Sequence, residues 1–281
     1  MPIRDLYISS DMEGIAGLAT WSQVLPGGDD YPRARRLMTA EVASACRAAL
    51  DGGARRVVVN DAHASMQNLI PEELPEGVLC LQGSPKRGGM MAGLAEHGPF
   101  DAVAFIGYHA PSGAMRANMA HTVTRRVHGM DLNGVAVGEA WMNAAYAASL
   151  GVPVVLISGD DVACDALAPS IPGLRTVQVK WSYAEEASLS LHPADARRAI
   201  HDAVRTLWAT DAADLPGPMA LPDAPFRLTI SFARAVHADH AETVPGSQRI
   251  GPYQVLFEHA EFREVYRAYH AMAMLSTLAT P

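Results

Sequence analysis

Residues Asp5 to Val59 decide the fold: they open with DLYISS (Asp5–Ser10), pass through DMEG (Asp11–Gly14) into a helical pattern, and close on Val57-Val58-Val59. DLYISS reads as a strand. Between Tyr31 and Leu50, Met38, Val42, Ala45, Cys46 and Ala49 recur at three- and four-residue intervals, one face of an amphipathic helix. Gly52-Gly53 supplies the stop. The β-branched run after it is a buried strand. Strand, helix and strand, with the strand apolar throughout, is the unit of a parallel sheet covered on both faces.

The alternation continues outward. Ala102–Ile106 (AVAFI) and Val154–Ile157 (VVLI) are further buried strands, and Thr176–Lys180 is another. Glu139 to Leu150 is a helix stopped at Gly151. Thr122–Val137 reads as a hairpin, because Asn133-Gly134 supplies the positive φ that a tight primed turn needs. Pro193 opens a helix running to about Thr206, at a position where a missing N–H does no harm. Pro216, Pro218, Pro222 and Pro225 then mark a linker. Beyond it lie strands at Arg227–Phe232 and Tyr253–Glu258 and a helix from Glu261 to about Leu278. The expected fold class is α/β, a mostly parallel sheet flanked by helices. Residues 1–185 form its core, and residues 186–281 form a smaller C-terminal α+β subdomain packed on it.

Composition narrows the function. Of 281 residues, 49% are hydrophobic and 19% charged, which is globular and excludes a disordered chain. Acids outnumber bases by 30 to 22, a net charge of −8, the wrong sign for a binder of nucleic-acid phosphates. No run approaches the roughly 20 apolar residues of a membrane span. Asp5 and Asp11 interrupt the first residues, so no signal-peptide core is expected there. The three cysteines, Cys46, Cys80 and Cys164, form no CxxC pair and are odd in number. A reducing cytoplasm is the expected location.

In open α/β sheets, ligands lie beyond the carboxyl ends of the strands. Asp11 and Glu13 follow the first strand. Asn60, Asp61 and His63 follow the second; Gly107, Tyr108 and His109 follow AVAFI; Asp160 and Asp161 follow VVLI. His121 stands at the mouth of the hairpin and Glu139 at the start of a helix. Carboxylates with imidazoles and no thiolates are the ligands of a hydrolytic metal site, not of a structural zinc. Asp11, Glu13 and Glu139 with neutral His63 and His109 carry −3; one divalent ion leaves −1 and two bring the set to +1. The charge favours two ions, about 3.5–4 Å apart, holding a hydroxide between them and polarising a carbonyl. Asp11 is the expected bridge, since a carboxylate has two oxygens to share.

The blocks SSDMEGIAG, NDAHASMQNL, GYHA, MAHTV, NGVAVGE and SGDD, in this order, resemble the D-aminopeptidase (DppA-type) family of zinc metallopeptidases. The likeness runs from the first strand to the last helix. It implies a cytoplasmic aminopeptidase holding two Zn2+ ions per subunit, acting on short peptides and assembled as a ring-forming homo-oligomer. It implies that the metal ligands are Asp11, Glu13, His63, His109 and Glu139, and that His121 acts in catalysis. The loop after Gly17 and the Pro-rich linker depart from the family pattern and leave the substrate side chain open. Two further roles stay open as well. Asp160 and Asp161 either bind the substrate ammonium or cap a helix, and Asp61 either orients an imidazole or caps the segment after it. Lys86, Arg87, Arg116, Arg125 and Arg126 lie in candidate loops and keep open a second reading, another two-metal hydrolase such as an amidase or a phosphoesterase. A third reading is a metal- or peptide-binding protein without turnover. His237 and His240 have a metal-like spacing but match no block.

Overall fold

The computed structural model describes residues 3–279. Among the described residues, twelve strands and seven α-helices follow in chain order: β1 (Asp5–Ser10), α1 (Trp21–Val24), α2 (Tyr31–Asp51), β2 (Arg56–Asp61), β3 (Leu79–Leu81), β4 (Ala102–Tyr108), β5 (Val127–Leu132), β6 (Val135–Val137), α3 (Glu139–Ser149), β7 (Val154–Asp160), α4 (Asp161–Leu167), β8 (Arg175–Ala184), β9 (Ala187–Ser190), α5 (Pro193–Ala209), β10 (Phe226–Phe232), α6 (Ala235–Ala241), β11 (Ser247–Gly251), β12 (Gln254–His259) and α7 (Phe262–Leu275).

The larger sheet has the order β3-β2-β1-β4-β7-β8-β9. Every pairing in it is parallel except the last, β8 with β9. β1, β2, β4 and β7 are buried along nearly their whole length, as their apolar runs require. Alternate side chains enter different cores. Leu6, Ile8, Val57, Val59 and Ile106 pack with Met38, Val42 and Cys46 of α2 and with Ile200 and Val204 of α5. Tyr7, Val58, Val103 and Phe105 face the other way, toward Met142 of α3, Tyr266 of α7 and Leu228 and Ile230 of the second sheet.

That second sheet is antiparallel, in the order β11-β12-β10-β5-β6. Its strands come from both sides of the boundary placed at residues 185 and 186. β10 pairs with β5 on one side and β12 on the other. α5 in turn packs against α2 in the core of the larger sheet. Local patterns find the hairpin and the C-terminal strands separately; they carry no signal that joins them.

The β5–β6 hairpin turns on Asn133 and Gly134, with φ of +52° and +85°, as a primed turn requires. It begins at Val127 rather than Thr122. Residues 122–126 instead make a tight loop, with Val123 at φ +58°, because the Val123 N–H is drawn to a carboxylate of the site.

The chain reverses direction across the sheet between β1 and β4: β2 and β3 lie on one side of β1, and β4, β7 and β8 on the other. The crevice at such a switch point is where open α/β sheets place ligands, and β1, β2 and β4 all end there.

Candidate metal centre

Asp11 follows β1, and its N–H donates to the Ile106 carbonyl on β4 at 2.8 Å. Three residues on, the Gly14 N–H donates to the Gly107 carbonyl, also at 2.8 Å. Backbone lies on backbone here, and only glycine allows it. A Cβ on Gly14 would stand 1.9 Å from the Tyr108 carbonyl oxygen, and Gly107 has φ +78°. The turn folds back so that the Asp11 and Glu13 carboxylates face one cup. His63 follows β2, in a loop held by Asp61, which accepts from the N–H groups of Asn68 and Leu69. The Asn68 side chain donates to the His63 carbonyl at 2.7 Å. His109 follows β4. Glu139 opens α3 and accepts the Val123 N–H at 2.6 Å.

These five side chains, remote in sequence, converge. The His63 Nδ1 lies 3.2 Å from Asp11 Oδ1 and 3.0 Å from Glu13 Oε2. The His109 Nε2 lies 2.8 Å from Glu139 Oε1 and 3.4 Å from Asp11 Oδ2. Asp11 therefore turns one oxygen to each imidazole. The donor atoms of Asp11, Glu13 and His63 lie within 4.8 Å of one another, as do those of Asp11, His109 and Glu139. All five residues are buried.

The outer ring nitrogens define the chemistry. His63 Nε2 donates to the Val24 carbonyl at 2.8 Å, and His109 Nδ1 donates to the Ala110 carbonyl at 2.9 Å. A carbonyl only accepts, so each outer nitrogen carries a proton, and the inner nitrogen, facing carboxylate oxygens, is left to hold either a second proton or a metal ion. Lone pairs cannot face lone pairs in a dry cup unless a cation lies between them. Asp11 Oδ2, Glu13 Oε2 and His109 Nε2 are accordingly buried with no hydrogen-bond partner. Burial works against imidazolium at His63 and His109, yet the carboxylates of Glu13 and Glu139, with Asp11, outweigh it and hold both well above the ordinary histidine range. Burial likewise pushes Asp11 and Glu13 up, and the facing imidazoles more than reverse it. The cup attracts cations at these positions, whether protons or metal. Oxygen and imidazole donors with backbone-fixed tautomers fit divalent zinc-type ions.

His121 borders the cup. Its ring stacks on that of His109, with centroids 4.1 Å apart and planes within 1°. Its Nδ1 donates to the Met119 carbonyl at 2.9 Å, and its Nε2 lies 3.8 Å from Glu13 Oε1. The cup floors a cleft of about 900 Å3, walled by Trp21, Met66, Lys86, Arg87, Arg125 and Tyr266 among others.

The remaining candidates resolve differently. Asp160 caps α4 through the Ala163 N–H and also accepts from Ala110, and Asp161 accepts from Ser182; both are structural partners of backbone. Asp61 organises the His63 loop rather than an imidazole ring. His237 and His240 lie on α6, outside the clustered donors.

Two contributors carry no signal in the sequence. Lys180 on β8 is fully buried, and its Nζ donates to the carbonyls of Glu13 and of Leu18, pinning the turn that aims both acids. Trp21, in the loop that departs from the family pattern, packs edge-on against His121 at 5.2 Å.

The D-aminopeptidase family model matches residues 5–271. The chain belongs to the D-aminopeptidase family. Within that family, it is 34% identical over 275 residues to the D-aminopeptidase of Bacillus subtilis (strain 168), covering 98% of this chain and 97% of the relative. A solved structure of the zinc-dependent D-aminopeptidase DppA from Bacillus subtilis, described as a self-compartmentalizing protease, superposes with a TM-score of 0.92 at 32% identity. It covers 98% of this chain and 99% of that one. Family membership and the α/β fold, a mostly parallel sheet beside an antiparallel one, thus agree with the motif blocks.

Proposed function

We propose that this chain is a zinc-dependent aminopeptidase that removes the N-terminal residue, of D configuration, from short peptides or amino-acid amides. One observation carries the reading: two sets of buried donors share Asp11, and each includes an inner imidazole nitrogen whose ring is fixed from behind by a backbone carbonyl. Asp11, Glu13 and His63 would hold one ion, and Asp11, His109 and Glu139 a second, with Asp11 as the bridge. Zinc bound there supplies Lewis acidity toward the scissile carbonyl and toward a water.

The chain's own residues do the rest. His121 takes or returns a proton at Nε2, because its Nδ1 is committed to Met119. Its stack on His109 and its contact with Trp21 hold the ring over the cup without tying up that nitrogen. The Val123 N–H orients Glu139, and Lys180 holds the turn bearing Glu13.

The relative's self-compartmentalizing character supports a ring-forming homo-oligomer for this chain as well. No helix among the described residues is long and apolar enough to cross a membrane. The three cysteines are free thiols, which supports a reducing cytoplasm.

The test is His121→Ala, with metal content and turnover measured separately. Metal retained by elemental analysis, with turnover of a D-amino-acid p-nitroanilide down about 10²–10⁴-fold, supports the role. Loss of metal makes His121 a ligand, and unchanged turnover removes it from the mechanism.

A further inference from the structure

The cleft over the cup carries charge of the wrong sign for this chain. The protein has a net charge of −8, yet Lys86, Arg87, Arg125, Arg126 and Arg267 line the cleft, and outside the cup Glu96 is the only acid among its described lining residues. Some of these cations are occupied. Lys86 donates to Asn60 and to the carbonyls of Asp61 and Leu81, and Arg267 pairs with Glu264 at 2.7 Å. The side chains of Arg87, Arg125 and Arg126 have no hydrogen bond or ion pair among the described residues.

Arg125 differs from the other two in being held in place. Its guanidinium lies 4.9 Å from the centre of the Trp21 ring. The indole is fixed in turn by its Nε1 donating to Glu185 at 3.2 Å and by its packing on His121. Stacking uses the face of a guanidinium and leaves its N–H edge free for a carboxylate. This exposed arginine is thus preorganised beside the reacting centre by its stack on Trp21 while its N–H edge is left without a hydrogen-bond partner among the described residues.

We propose that Arg125 receives the C-terminal α-carboxylate of the substrate, so that a free C-terminus is recognised over a blocked one. The inference rests on the aminopeptidase reading and adds a specificity-determining residue to it. The spacing permits it. Contacts of 5.2 and 4.9 Å in series put the Arg125 guanidinium within about 10 Å of the His121 ring. A peptide residue spans about 3.3–3.6 Å, and a charge-assisted hydrogen bond adds about 2.8 Å. One or two residues beyond the scissile bond therefore suffice to bring a carboxylate within reach of Arg125. The same guanidinium explains why basic residues sit in a loop beside a peptidase cup, the feature that keeps a phosphoesterase in view from sequence alone.

The experiment compares alanylglycine, in whichever enantiomer is cleaved, with its C-terminal amide and with alanine p-nitroanilide. Wild type, Arg125→Ala and Arg125→Lys are assayed at matched metal content. Wild type is expected to prefer the free acid to the amide by about tenfold or more. Arg125→Ala should lose about 10–100-fold in kcat/KM on the acid, chiefly through KM, and less than about twofold on the amide and the anilide. Arg125→Lys should recover part of the loss. Equal losses on acid and amide, or no loss on the acid, overturn the proposal. A wild type that cleaves the anilide without discriminating acid from amide overturns it and leaves the aminopeptidase reading standing. A wild type inert toward all three overturns that reading and this inference with it.

Discussion

At the scale of single residues, the site depends on backbone carbonyls more than on side-chain partners. Val24, Ala110 and Met119 fix three imidazoles, and the carbonyls of Glu13 and Leu18 receive Lys180. Lys180 never touches the donor atoms, yet it sets the turn between Asp11 and Leu18. Replacing it with Met keeps the volume and removes the donor. Lys180→Met is expected to lower metal affinity about 10–100-fold while His121 keeps its place, which metal titration read by elemental analysis will check. Asp11, Glu13, His63 and His109 were legible because each follows an apolar strand, and Glu139 because it opens a helix. Lys180 was not, because a lysine among Val177, Val179 and Trp181 looks like the solvent-facing member of an alternating strand. Its burial comes from a loop more than 160 residues away.

At the scale of elements, α2 carries a second buried charge. Glu41 accepts the Ala16 N–H at 3.0 Å through one oxygen, while the other is buried without a partner. Burial pushes its pKa up to about 7. An unfolded glutamate ionises near 4.3. Between these values the folded chain keeps a proton that the unfolded chain releases, so rising pH costs stability across this window, and the cost is complete above it. Glu41→Gln does not titrate. It should exceed wild type by about 1–3 kcal/mol at pH 8, with the difference shrinking toward pH 4.5, as urea unfolding at the two pH values will report. Elements were legible to the extent that their signals are local. Apolar runs announced β2, β4 and β7, spacing announced α2, the Gly151 stop marked α3, and Asn133-Gly134 announced the hairpin. β3 has three partly exposed residues, and β11 alternates half-buried with exposed ones; neither offers a run to read. The joining of β5 to β10 is a tertiary event, outside the reach of any local window.

At the scale of the whole molecule, the β8–β9 edge of the larger sheet stands out. Trp181 pairs with Leu189 across the two strands, and Tyr183 follows on the same ribbon. Tyr183 is 81% exposed and Leu189 69%. An apolar edge of this kind invites a second copy. The doubly substituted Tyr183→Glu, Leu189→Glu protein is expected to show a smaller mass in light scattering than wild type, with metal content kept; an unchanged mass would place assembly elsewhere. The antiparallel sheet carries a different consequence, one of timing. Leu132 must wait for Leu228, about a hundred residues later, before β5 has its neighbour, and His121 and Glu139 flank that waiting hairpin on either side. A nascent chain halted midway on the ribosome thus holds Asp11, Glu13 and His63 without a settled opposite wall. The far wall of the cup is complete only once β10 has been made and has docked on β5.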